Sequence, residues 1–319
     1  MYIEQGYKGL HEGWRYVVGV IAVFFGWQFI GGIPLVIALI SKSGLDSLVT
    51  TPSGMSELLG ANVFLFLMLL AFVFGILFLF IFVKYVHKQS FKSLTTSREK
   101  IDWKRIIFAF SLWSIVSILF ILLDIYLSPD DYVLNFKFEK FLILAAIAIA
   151  LIPIQTSMEE YFMRGYVMQG LGIAVKNKWI PLIVTSSVFG LLHIFNPEVQ
   201  KLGYGILVFY IGTGFFLGIM TLMDEGLELA LGFHAANNLT AALLVTADWT
   251  AFTTDSIYRD VSDPVLGWDV LVPVFIVFPI LLFIFSKKYK WTDWKGRLFG
   301  KVMSKEEFLA VENGNPSEV

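Results

Sequence analysis

Glu159-Glu160-x-x-x-Arg164, Phe189-x-x-x-His193 and His234-x-x-x-Asn238 lie inside stretches otherwise rich in Leu, Ile, Val, Phe, Ala and Gly. An ionisable group in hydrocarbon costs about 2.5–3.5 kcal/mol even on lenient insertion scales, so such groups are usually kept for work. The three sets occupy successive apolar stretches and hold two carboxylates, two imidazoles, an amide and a guanidinium. They read as an intramembrane active site.

Glu160 and Arg164 are spaced to stack on one helical face, where the guanidinium anchors the carboxylate. Glu159, about 100° round the helix, is left for chemistry. The plainer reading is an ordinary ion pair at the end of a span. An imidazole one turn after Phe189 can move a proton near neutral pH, or simply hydrogen-bond inside a core. His234 and Asn238, again one turn apart, can aim two donors at one point, which suits a developing oxyanion. The competing reading is polar glue between helices. Together they supply a base, a partner imidazole, an orienting arginine and a donor pair, the parts needed to add water to a carbonyl. No Ser stands in a G-x-S-x-G context, so activated water is favoured over a covalent route.

The elements that must position these groups are membrane helices. Of 319 residues 57% are hydrophobic and 16% charged, against roughly 25% charged in soluble domains. The absence of cysteine excludes disulfides, thiolate metal sites, a Cys nucleophile and lipidation through Cys. Apolar stretches occur at Val17–Ile40, Val63–Val83, Ile106–Leu127, Phe141–Val175, Trp179–Ile194, Tyr204–Met223, Leu227–Val245 and Val270–Phe285. The first is too long for a cleaved signal and reads as a retained span. The fourth would be about 52 Å long as one helix, with Pro153 as a natural kink. Lys and Arg concentrate between the second and third stretches and after the eighth. The expectation is therefore an all-α integral membrane protein of about eight transmembrane helices, both termini cytoplasmic, multi-pass in the cell membrane. Residues 1–140 form three N-terminal spans, 141–246 a catalytic helical core, and 247–319 a final span and basic tail. The tail Lys287–Lys305, with Trp291, Trp294 and Phe299, either lies at the headgroups or is solvated. Helical rise puts Glu159 about 24 Å and His193 about 21 Å from the turn at 176–178, but His234 only about 11 Å from Leu227.

The motif order Glu-Glu-x-x-x-Arg, Phe-x-x-x-His, His-x-x-x-Asn resembles the CPBP family of intramembrane proteases, also called the ABI family. It includes the type II CAAX prenyl endopeptidases and bacterial proteins linked to bacteriocin processing and self-immunity. The resemblance spans about Phe141–Val245. It implies Glu159 as general base, His193 holding the attacking water, His234 and Asn238 stabilising the oxyanion, Glu160 and Arg164 as supporting pair, and Phe189 packed beside His193. It leaves both a metal-free glutamate mechanism, which is preferred and requires no cofactor, and a zinc mechanism with Glu159, His193 and His234 as ligands.

The expected activity is endopeptidase cleavage of a membrane-associated peptide or protein, lipidated or amphipathic, with the bilayer as the other partner and no nucleic acid. The rivals are a proton-coupled transporter, with Glu159, Glu160 and His193 as a relay, and a non-catalytic immunity or scaffold protein of the same fold.

Overall fold

Val17, Ile21 and Phe29 near the N-terminus, Ile115, Leu119 and Leu122 in the middle, and Phe275, Ile280 and Phe283 near the C-terminus are all exposed. In water each would forfeit about 25 cal/mol per Å² of uncovered apolar surface, whereas acyl chains accept such surface and forbid unpaired backbone. The structure, a computed structural model, describes residues 1–44 and 49–314. Residues 45–48, between the first two apolar stretches, and 315–319 of the tail lie outside the described residues.

Six helices are long and apolar enough to cross a membrane: α1 (Gly13–Ser43), α2 (Ala61–Val86), α3 (Trp103–Leu127), α4 (Phe138–Val175), α6 (Tyr204–Asp224) and α8 (Val270–Tyr289). Two shorter helices complete the bundle, α5 (Trp179–Leu191) and α7 (Glu228–Leu244). The expected count of eight spans is corrected to six. Helix α5 stops before His193 in a run of turns. Helix α7 is buried from Glu228 to Ala236, so it presents no apolar face to lipid and can carry His234, Asn237 and Asn238 instead. It packs chiefly on α3 and α4, while α5 packs on α6 and α2 on α4. Gly232 permits the closest approach, since a Cβ there would lie 2.1 Å from the Ile106 carbonyl oxygen.

The N-terminal segment and the described part of the C-terminal tail gather at one end, the lysine-rich one. A 3₁₀ segment, Ile3–Lys8, packs on the last turns of α4; the C-terminal helix Lys305–Glu312 closes over it, and Trp294–Phe299 packs on α6 and α5. Tyr7 donates to the Met303 carbonyl, Val302 N to Lys176 O, and Leu227 N to Thr95 O. Asp224 accepts from Arg98, Arg105 and Trp291. The basic tail thus does not float: Trp291, Leu298, Val302 and Phe308 are buried, although Trp294 and Phe299 stay exposed. At the opposite end a small sheet of order β1-β3-β2 joins Tyr132–Leu134, Tyr258–Asp260 and Val245–Ala247.

This base also explains why the helical-rise estimates for α4 and α7 disagree. Gly165 on α4 lies level with Leu227, whose Cδ1 would be 3.6 Å from a Cβ at that glycine. Helix α4 therefore runs about ten residues past the start of α7. Counted from Gly165 and from Leu227, Glu159 and His234 are each about 10 Å along their helices.

Candidate active site

Pro153 kinks no helix end here; α4 continues through it and changes to π-helical winding at Tyr161–Val167, directly after the two glutamates. Glu160 and Arg164 are fully buried and joined at 3.0 Å. Arg164 also donates to Gly214 O at 3.1 Å and lays its guanidinium over the Phe189 ring, 4.2 Å from the centroid. Glu159 keeps 14% of its side chain exposed and turns to a cavity.

That cavity has a volume of about 310 Å³ and is lined by Glu159, His193, His234 and Asn238. Its other polar walls include Gln155 and Asn237, and its apolar walls include Trp27, Met68, Phe72, Phe162 and Phe209. Helices α1 and α2 thus add to the four central helices expected to enclose it. Asn196, Ala251 and Phe252 come from loops at the end opposite the lysine-rich base and Glu198 from the short helix Pro197–Leu202 there, and no lining residue belongs to that base.

The hydrogen bonds assign roles to each ring nitrogen. His193 Nδ1 is 2.8 Å from the Phe189 carbonyl, which can only accept, so this nitrogen carries the proton and Nε2 is left as an acceptor. The ring stacks on Tyr210, centroids 4.4 Å apart, with Phe189 on another side at 5.0 Å. His234 lies between the two glutamates, Nδ1 donating to Glu160 Oε1 at 2.8 Å and Nε2 3.5 Å from Glu159 Oε2.

A directional chain of amides fixes the other side of Glu159. Trp113 Nε1 can only donate, and it does so to Asn237 Oδ1 at 3.0 Å. Asn237 Nδ2 then donates to Asn238 Oδ1 at 3.1 Å, Asn238 Nδ2 to Gln155 Oε1 at 3.0 Å, and Gln155 Nε2 to Glu159 Oε1 at 2.8 Å. A donor-only indole at one end and an acceptor carboxylate at the other leave one orientation for all three amides.

All seven residues singled out from sequence meet in this region. Sequence reasoning missed Gln155, Asn237, Tyr210, Trp113 and Glu198. Gln155, one turn before Glu159 in an apolar run, offered a signal of the same kind as the motifs.

The conditional zinc set is not assembled. Among the described residues no three His, Asp or Glu side chains form a group that could hold a metal. His193 presents one nitrogen only, and both nitrogens of His234 face carboxylates.

Residues 138–240 match the family described as Type II CAAX prenyl endopeptidase Rce1-like. Over 240 residues the chain is 30% identical to the uncharacterized protein YyaK of Bacillus subtilis (strain 168), covering 75% of this chain and 80% of that protein. No solved structure matches.

Proposed function

This chain belongs to the type II CAAX prenyl endopeptidase Rce1-like family, and we propose that it is an intramembrane endopeptidase of the cell membrane that cleaves a membrane-associated peptide with activated water. The reading is carried by the convergence of Glu159, His193, His234 and Asn238 on one cavity.

A water between Glu159 and His193 meets two acceptors, the carboxylate and the bare Nε2. Both of its hydrogens are then held, which turns an oxygen lone pair toward a substrate carbonyl. Glu159 takes one proton as the C–O bond forms. The carbonyl oxygen becomes an oxyanion beside His234 Nε2–H and the second amide hydrogen of Asn238. His234 donates there as the doubly protonated ring, a form that Glu160 supports from the Nδ1 side. Glu159 returns its proton to the amine nitrogen as the C–N bond breaks, and the second proton of the water passes from the new carboxylic acid to the amine, leaving a carboxylate and an ammonium. Arg164 and Phe189 touch neither water nor substrate; they hold Glu160 and the two imidazoles in place.

Glu159→Gln preserves the size of the side chain and removes the base. Cleavage of quenched fluorogenic peptides by the purified protein in nanodiscs should fall about 10²–10⁴-fold. Turnover at the wild-type rate would remove Glu159 from this role.

A further inference from the structure

Buried Glu160, Asp224 and Glu228 each have an arginine, and buried Glu4, outside the cavity, accepts the Met303 N–H. Glu198, in the cavity and part-buried, has no arginine. It stands on the short helix Pro197–Leu202, in the cavity wall farthest from the lysine-rich base, and has no ion pair among the described residues. Its Oε1 accepts the Ala251 backbone N–H at 2.9 Å. Its Oε2 is buried and has no hydrogen-bond partner among the described residues. Around it the cavity offers Asn196, Tyr210 and Phe252, an amide and two aromatic rings, and no cation. A carboxylate oxygen buried without a counter-charge or a hydrogen bond is costly. Aromatic walls beside it add attraction for a cation.

We propose that Glu198 is a specificity-determining carboxylate that receives a protonated amine or guanidinium of the substrate, so that the cavity selects basic peptides. The inference rests on the proteolytic reading of the same site. Glu159 and Glu198 then divide the work: one acts on water at the inner end, and the other reads charge at the mouth. The cation sits beyond the Tyr210–His193 stack, on the mouth side of the bond to be cut. Holding one oxygen by the Ala251 N–H fixes the loop over the cavity and leaves the other oxygen for the ligand.

The test uses full-length protein in nanodiscs and apolar decapeptides that differ at one position, which is scanned along the sequence as Lys, norleucine or Glu. Binding is read by thermophoresis on the Glu159→Gln protein, so that it does not depend on turnover. At one or two positions the Lys peptide should bind about tenfold or more tightly than its norleucine twin, and the Glu peptide more weakly still. Adding Glu198→Gln, which keeps an acceptor for Ala251, should bring the Lys and norleucine peptides within about twofold. Thermal unfolding of the double variant verifies that it is folded. Equal binding of Lys and norleucine peptides at every position would overturn the proposal, as would a Lys preference that survives Glu198→Gln. A charge preference in a wild-type protein that cleaves none of the peptides would uphold Glu198 as the reader of charge and overturn the proteolytic reading instead.

Discussion

Glu160 is the most constrained side chain of the cavity. Its Oε1 is shared by Arg164 and His234 at 3.0 and 2.8 Å, with no solvent exposure on either member of the ion pair. Removing one partner of a buried pair strands the other charge, which costs about 3–5 kcal/mol. Arg164→Met should therefore lower stability by about that amount in thermal or SDS unfolding, and Glu160→Gln added to it should recover part of the loss. Equal destabilisation by the single and double variants would deny the pairing its energetic role. Glu198 carries the opposite kind of strain. Burial pushes its carboxyl above the ordinary carboxylate range. The folded chain holds the proton that the unfolded chain has already released, so stability falls as pH rises through the raised value. Glu198→Gln should match wild type near about pH 4 and exceed it at about pH 8 in thermal unfolding. A difference of the same size at both values would refute this. Glu159, His193, His234 and Asn238 were legible because ionisable and amide groups at one-turn spacing stand out against hydrocarbon. Tyr210 and Trp113 did not stand out, since aromatic residues are ordinary in membrane helices. Glu198 follows a Pro in a polar loop, where a carboxylate carries no signal.

At the scale of elements, the site is a contract between α3, α4 and α7. The donor chain from Trp113 through Asn237, Asn238 and Gln155 ends on Glu159, so a helix without a motif of its own orients the base. Trp113→Phe keeps the ring packed on Phe233, 4.5 Å away, and deletes only the donor. Asn237 is then free to flip, and the orientation of every amide down to Glu159 is released. The expected result is a fall in kcat of about tenfold with KM little changed. A purely structural role would lower the melting temperature and leave kcat alone. No periodicity in α3 announces this contact, because it depends on how α7 crosses it. The same limit explains the mismatch in depth. Helical rise places residues along one helix well, but the offset between neighbours is set by packing, here by the N-terminal segment on the last turns of α4 and the tail bonded at Lys176 and Lys178 just beyond them.

For the whole molecule, hydropathy found the lipid-facing helices and overcounted the enclosed ones. Helix α7 needs no apolar surface, so its composition follows the cavity and not the bilayer. The asymmetry of charge survives in three dimensions: the basic loop 84–105, the turn at Lys176–Lys178, the N-terminal segment and the described part of the basic tail meet at one end. The cavity reaches toward the other, where Ala251 and Phe252 line it. The positive-inside rule predicts that the lysine-rich end is cytoplasmic, and on the proposed function the expected route of the substrate is from the outer side of the membrane. The lack of native cysteine makes this testable with single reporters. Val265 is 72% exposed in the loop beside the mouth, and Lys100 is exposed at the basic end. A membrane-impermeant maleimide applied to intact cells should label Val265→Cys and spare Lys100→Cys until the membrane is permeabilised. Labelling in the reverse order would put the mouth on the cytoplasmic side, where a cytosolic protein and not an exported peptide would meet Glu198 first.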